Sequence, residues 1–402
     1  MPNHAQHRVG PREPGRGPEV DHAGGESSTA GQTRRRTDPS GSTFTALTRQ
    51  VHELGLMRRR YGYYWTKLIG VVAVLAGWLA AFLWIGDSWW QLAMAAALAV
   101  IMARAAFLGH DAAHRQMFKS GKWNDWVSLI LTNLLVGISY GWWQGKHSRH
   151  HAAPNKEGSD PDIALRAIAI TPPMADRHRN PLMRWAVRHQ GWYFFPLLLL
   201  QGLSMHVEGV KRVMSRDRVN RRWVEATFLA VRLGGMLALV FWVLPLGVAV
   251  SFLAVELAVF GVYLGFSFAP NHIGMPLVPA SLKLDFLRRQ VLMSRNISGG
   301  PLMTTFMGGL NYQIEHHLFP SIARPHLRKI QPLVVAHCAA HGVPYTQTSL
   351  WGAYRTVIRY LNTVGLKGND PYLCPMVQYR LAPLAAGNPA VTAWSTTPTS
   401  SR

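Results

Sequence analysis

Residues 68–86 read Leu-Ile-Gly-Val-Val-Ala-Val-Leu-Ala-Gly-Trp-Leu-Ala-Ala-Phe-Leu-Trp-Ile-Gly, an apolar run without a charge. A helix needs about 20 such residues to cross the hydrocarbon core of a bilayer. Met57-Arg58-Arg59-Arg60 and Lys67 lie ahead of the run, and Gly86-Asp87-Ser88 follows it as a tight turn free of Lys and Arg. A second run, 89–108, returns from that turn with Arg104 near its end, where a long side chain can reach the interface. Runs at 226–246 and 248–268 repeat the arrangement around Pro245 and Gly247, behind a flank containing Lys211, Arg212, Arg216, Arg218, Arg221 and Arg222. Lys and Arg collect in cytoplasmic loops. The expected fold is therefore an all-α integral membrane protein with four transmembrane helices, arranged as two hairpins, and both termini in the cytoplasm.

Two further apolar stretches are shorter and interrupted. The stretch 126–138 contains Thr132 and Asn133, and 192–205 contains Pro196 and Gln201. Their length class is that of interfacial, re-entrant or buried segments. Arg232 and Glu256 fall inside the third and fourth spans at similar depths, and charges within a membrane are usually paired, so these two are expected to meet.

Composition agrees with a membrane protein. Of 402 residues, 48% are hydrophobic and only 15% charged, against roughly 25% charged in a soluble domain. A soluble, disordered or collagen-like chain is excluded. The net charge of +22 suits basic loops beside anionic lipid, and no nucleic-acid partner is expected. Two cysteines, Cys338 and Cys374, provide neither a disulfide framework nor the four thiolates of an iron–sulfur cluster. Residues 1–42 are polar, rich in Gly, Pro, Ser and Arg, and read as a disordered tail without a signal-peptide pattern. The stretch 383–402 reads likewise, leaving 43–382 as the membrane domain.

Histidine spacing carries the chemistry. His110 and His114 stand at i and i+4, His147, His150 and His151 at i, i+3 and i+4, and Gln313, His316 and His317 repeat the latter spacing with Gln first. On a helix such residues share one face. Imidazole suits Zn, Cu, Fe and Ni. Seven imidazoles exceed what one ion accepts, and structural zinc usually includes Cys, so a dinuclear iron site is expected. The clusters must lie on one side of the membrane to meet, which requires the two short stretches to lie in the interface or to dip and return.

In order, spacing and neighbouring hairpins, these clusters resemble the three histidine boxes of membrane-bound fatty acid desaturases, over about residues 68–344. His150-His-Ala-Ala-Pro-Asn, followed by Asp160-Pro161-Asp162, is similar to the bacterial and front-end branch. The resemblance implies a diiron centre in a cytoplasmic helical cap above a stem of four spans, with no catalytic residue outside the metal shell. It implies eight ligands: His110, His114, His147, His150, His151, His316, His317, and His272 in Ala269-Pro270-Asn271-His272. Gln313 stands where the stearoyl-CoA type has His, as a weak ligand or a hydrogen-bonding neighbour, and Phe268 stands where that type has Asn.

The implied reaction is O₂-dependent introduction of a cis double bond into a long-chain acyl-CoA or acyl lipid. Many relatives carry a fused cytochrome b5 with a His-Pro-Gly-Gly motif. That tetrapeptide does not occur here, the nearest text being His22-Ala23-Gly24-Gly25. Electrons are thus expected from a separate ferredoxin- or flavin/iron–sulfur-type reductase, with the protein in the inner membrane of a bacterium. The alternatives are a diiron membrane hydroxylase or alkane monooxygenase and, from another class, a metal transporter. A transporter would place its ligands near mid-span rather than at span ends.

Overall fold

A computed structural model describes residues 39–164, 167–175 and 180–365. The expected tail at 383–402, Cys374, and the histidines at 4, 7, 22 and 178 lie outside the described residues. Four described helices are long and apolar enough to cross a membrane: α2 (Tyr61–Ile85), α3 (Gln91–Ala113), α10 (Arg222–Val243) and α11 (Leu246–His272). Ahead of them comes α1 (Pro39–Glu53). It opens inside the stretch to residue 42 that the sequence marks as tail. The reason is its apolar stripe: Leu47 and Val51 are buried, and the Phe44 ring lies 4.7 Å from that of Phe286 and 5.4 Å from that of Phe319.

The turn between α2 and α3 is closed by Gln91, whose buried amide donates to the carbonyls of Phe82 (2.8 Å) and Gly86 (2.9 Å). The Trp78 indole N–H donates to Met94 O at 2.8 Å, so the buried indole has its partner within this apolar contact. α2 and α10 leave many apolar side chains exposed, among them Ile69, Val72, Trp84, Val231 and Trp242. Such surfaces suit a lipid environment. α3 and α11 contribute more to the core, where Leu98, Met102, Phe252 and Phe260 are buried together. Arg232 and Glu256 approach to 3.5 Å, as expected, and Arg232 Nε also donates to Leu135 O at 2.7 Å.

Each short stretch breaks. α4 (Gly121–Leu129) continues as a π-helix, Ile130–Val136, and the chain then bends by 115° into α5 (Tyr140–Ala152). Gly137 makes the break with φ 91°; a Cβ there would also lie 3.1 Å from both His206 Cε1 and Leu233 Cδ2. The stretch at 192–205 divides between α8 (Gln190–Leu198) and α9 (Gln201–Met214), following the short α6 (Pro172–Ala175) and α7 (Pro181–Arg188).

The remaining elements carry the third box. α12 (Phe286–Leu292), α13 (Gly300–Phe306), α14 (Gln313–Leu318) and α15 (Arg324–Ala340) follow α11. Strand β1 (Asn296–Ser298) pairs in parallel with β2 (Gln347–Ser349), and α16 (Leu350–Gly365) completes the described chain. Leu287, Val291, Ile314, Leu318, Ile330 and Val334 form a separate apolar core that fixes α14 against α1, α12 and α15.

Candidate metal centre

The eight expected histidines come together from four helices. His110 lies in the last turn of α3 and His114 caps it; α5 supplies His147, His150 and His151, the end of α11 supplies His272, and α14 supplies His316 and His317. They form two groups. His110, His114, His147, His151 and His316 present ring nitrogens all within 4.8 Å of one another, and His150, His272 and His317 form a second such group. Nε2 meets Nε2 between His114 and His147 (2.8 Å), His147 and His151 (3.0 Å), His151 and His316 (3.1 Å), and His150 and His272 (3.3 Å).

Three rings have their other nitrogen assigned by an acceptor. His150 Nδ1 donates to Asp160 Oδ2 (3.0 Å), His272 Nδ1 to the Met293 carbonyl (2.9 Å), and His317 Nδ1 to Gln290 Oε1 (2.9 Å). Each therefore turns an unprotonated Nε2 inward, the arrangement in which histidine binds metals. The Nε2 atoms of His110 and His317 are buried without a hydrogen-bond partner. Burial first, and then neighbouring imidazoles, holds His114, His147, His151, His316 and His317 well below the usual histidine range. Inward-facing imidazoles in two adjacent groups, two of them with a buried Nε2 that has no partner, fit a pair of first-row metal ions. For His150, burial lowers the pKa, but Asp162 and Asp160 more than offset it and the net shift is upward.

Gln313 lies beside the smaller group. Its Nε2 is 2.9 Å from His272 Nε2, and its Oε1 accepts from Asn271 Nδ2 at 3.1 Å. Asp111 pairs with Arg324 at 2.7 Å and lies 3.6 Å from His110 Nδ1. Glu315 is fully buried, and its carboxylate accepts from Asn296 Nδ2 and the Tyr345 hydroxyl, both at 2.7 Å. Burial pushes its carboxyl up to about 7 despite those two bonds. An acid inside the third box, between Gln313 and His316, suits either an acceptor for an imidazole N–H or a surface acid, and Glu315 is neither.

An apolar cavity of about 210 Å³ opens on the centre, reaching His147, His150, His272 and Gln313. Phe194, Leu198, Met205, Leu264 and Phe268 line it. A smaller chamber of about 30 Å³ beside His110 shares Trp143, Met205, Leu264 and Phe268 with it. Trp142 and Trp143 thus wall the cavity; their pattern in the sequence suits a membrane–water boundary first and a channel wall second, and the second holds. The Trp143 ring stacks on His147 at 4.4 Å. His206 follows the apolar stretch 192–205, a position that suggests the interface, but it is buried and donates from Nδ1 to Gly137 O at 2.7 Å.

Sequence reasoning missed Gln290 and the role of Asp160. Asp160 appears in the sequence only as part of Asp160-Pro161-Asp162; an acid ten residues after a box histidine was the available signal. Gln290 has no local signal, because its partners, His317 and the carbonyl of His151, are distant in sequence.

These features define a helical membrane protein with a polyhistidine metal-binding centre at the end of an apolar cavity. A profile of the fatty acid desaturase family matches residues 87–349, and the chain belongs to that family. It is 28% identical over 325 residues to the Delta(8)-fatty-acid desaturase of Helianthus annuus, covering 76% of this chain and 69% of the relative. It is 31% identical over 315 residues to the acyl-lipid (9-3)-desaturase of Physcomitrium patens, covering 75% and 58%. To the Delta(6)-fatty-acid desaturase of Caenorhabditis elegans it is 28% identical over 340 residues, covering 80% and 74%. These relatives are eukaryotic and lend no support to a bacterial inner membrane.

Proposed function

We propose that the protein is an O₂-dependent acyl desaturase of the front-end type, acting on the chain of a membrane acyl lipid through two irons held by the eight histidines. The observation that carries this reading is the set of inward, unprotonated Nε2 atoms at the end of an apolar cavity. A saturated chain offers no acidic hydrogen and no polar handle, so acid–base chemistry has nothing to act on. Bound iron, once reduced, supplies the O₂-derived oxidant that such a bond requires. The protein's own residues do the rest. Phe194, Leu198, Leu264 and Phe268 hold the acyl chain and exclude water; Asp160, Gln290 and the Met293 carbonyl fix the rings of His150, His317 and His272. Gln313, next to His272, would complete the smaller group as a weak ligand or by holding a water.

The balance is one CH₂–CH₂ unit, one O₂, two electrons and two protons, giving one cis CH=CH unit and two waters. The two external electrons would come from a separate ferredoxin- or flavin/iron–sulfur-type reductase, with a basic protein surface steering an acidic partner. An acyl lipid is preferred over an acyl-CoA because Lys146 is the only Lys or Arg among the described residues that line the cavity, and it pairs with Asp162 at 2.7 Å. CoA phosphates would call for several free cations. Two of the relatives, from borage and a moss, are named acyl-lipid desaturases. The test is mass analysis of the acyl products: loss of two hydrogens supports desaturation, and gain of one oxygen would instead make the protein a hydroxylase.

The same reading puts the four spans in two hairpins, with the histidines and both ends of the membrane domain on the cytoplasmic side. Reporters fused after residue 87 or 247 are expected to read outside, and those after 160, 215 or 345 inside. A reporter after 215 that read outside would divide the boxes between two compartments and end the proposal.

A further inference from the structure

The bend ahead of α5 is held by side chains that belong to none of the three boxes. Besides His206 and Arg232, the principal one is Glu225, in the first turn of α10 and buried at 1% exposure. Its carboxylate accepts from Ser139 Oγ at 2.5 Å, Asn133 Nδ2 at 3.2 Å and the Gly141 backbone N–H at 3.1 Å. Ser139 is the N-cap of α5, with its own Oγ accepting from the Trp142 N–H at 3.1 Å. One carboxylate thus collects donors on both sides of the break, at the end of α5 where the helix dipole favours negative charge. An ionised carboxylate only accepts hydrogen bonds. A glutamine at 225 would turn an N–H group toward one of the three donors.

The consequence reaches the metal centre through α5. His147 and His151 belong to the larger histidine group and His150 to the smaller. A displacement of α5 along its axis therefore moves ligands of both groups at once. Gly141 shows how closely the anchor fits: a Cβ there would lie 2.8 Å from Glu225 Oε1. The length of the side chain at 225 and the missing side chain at 141 are complementary.

We propose that Glu225 is a positioning residue of the metal centre, setting the axial position of α5 so that its three imidazoles meet those of α3, α11 and α14. The proposal rests on the diiron reading of those histidines. It is tested on the full chain with Glu225→Asp, Glu225→Gln, Gly141→Ala and the double variant Glu225→Asp, Gly141→Ala. Each is measured for folded yield, amide hydrogen exchange across residues 138–152 in the metal-free protein, iron per chain, and kcat and KM. Exchange is read without metal, so failure of the anchor and failure of the diiron reading are distinguishable.

Each single variant is expected to exchange faster at the start of α5 and to lose about 10- to 100-fold in iron affinity or kcat, with KM for the acyl substrate little changed. The double variant is expected to exceed Gly141→Ala in iron content, because the shorter carboxylate makes room for the added methyl and neighbouring substitutions are not additive. Unchanged exchange, iron and kcat in the folded Glu225 variants would overturn the proposal. So would activity that falls only in step with folded yield. Should Glu225→Asp fail to accumulate, Glu225→Gln, which keeps the side-chain shape, decides the matter by the same exchange and iron readings.

Discussion

Alanine at His114, His150 or His317 is expected to abolish desaturated product and to lower bound iron from about two per chain. Each substitution removes an imidazole whose Nε2 converges with the others, and the remaining rings are fixed by neighbours that cannot move in to replace it. His317 is 1% exposed with Nδ1 tied to Gln290, and His150 is 3% exposed with Nδ1 tied to Asp160. His272→Ala is the sharper case. His272 stands alone at the end of α11, outside the boxes, yet its ring meets both His150 and Gln313. It is expected to behave like the box variants. His341→Ala, at an exposed ring that packs 4.2 Å from that of half-buried His337 and away from the cluster, is expected to leave iron and activity unchanged. Iron analysis and product chromatography on the purified variants check all five, and full activity in any cluster variant would break the site assignment.

Asp160→Ala is expected to cost about 10- to 100-fold in iron affinity or activity, the usual range for an acceptor that orients a metal-binding imidazole. Asp160 is 2% exposed and accepts from His150 Nδ1, from the Asn155 N–H at 2.7 Å and from the Asp162 N–H at 2.8 Å. Its removal frees the His150 ring to adopt the wrong tautomer and loosens the loop after α5. Asp162, at 41% side-chain exposure, meets Lys146 at 2.7 Å and His150 Nδ1 only at 3.4 Å, and Asp162→Asn is expected to have the smaller effect. Equal iron content and turnover in Asp160→Ala and the unaltered protein would remove Asp160 from the centre.

Local patterns account for what the sequence reveals. An uncharged run of spanning length announces a membrane helix wherever it packs, and histidines at i, i+3 and i+4 share a helix face before any tertiary contact is known. The four long helices and seven of the eight converging imidazoles could be read for that reason; His272, which has no box spacing, was reached through the family resemblance. Partners that act across the fold could not. Glu225 meets Ser139 and Gly141 only after the chain has passed through α9, and its place in a basic flank gave no hint of burial. Gln290 is one of many glutamines until α12 packs on α14. Trp142 and Trp143 show the limit of a local reading in the other direction: paired tryptophans near an apolar stretch look the same whether they face headgroups or an internal cavity. The first turns of α1 were hidden by the polar composition around them, although Phe44, Leu47 and Val51 already trace an apolar stripe.

The central claim is that this histidine centre removes two hydrogens from an acyl chain with electrons delivered from outside. Its most direct measurement supplies the purified, iron-loaded chain with phospholipid, O₂ and NAD(P)H, with and without a ferredoxin-type reductase system, and resolves the acyl products by mass spectrometry. The expected product is lighter by two hydrogens, with one new double bond, and is formed over repeated turnovers only when the reductase is present. A product gaining one oxygen, or repeated turnover with NAD(P)H alone, would contradict the claim.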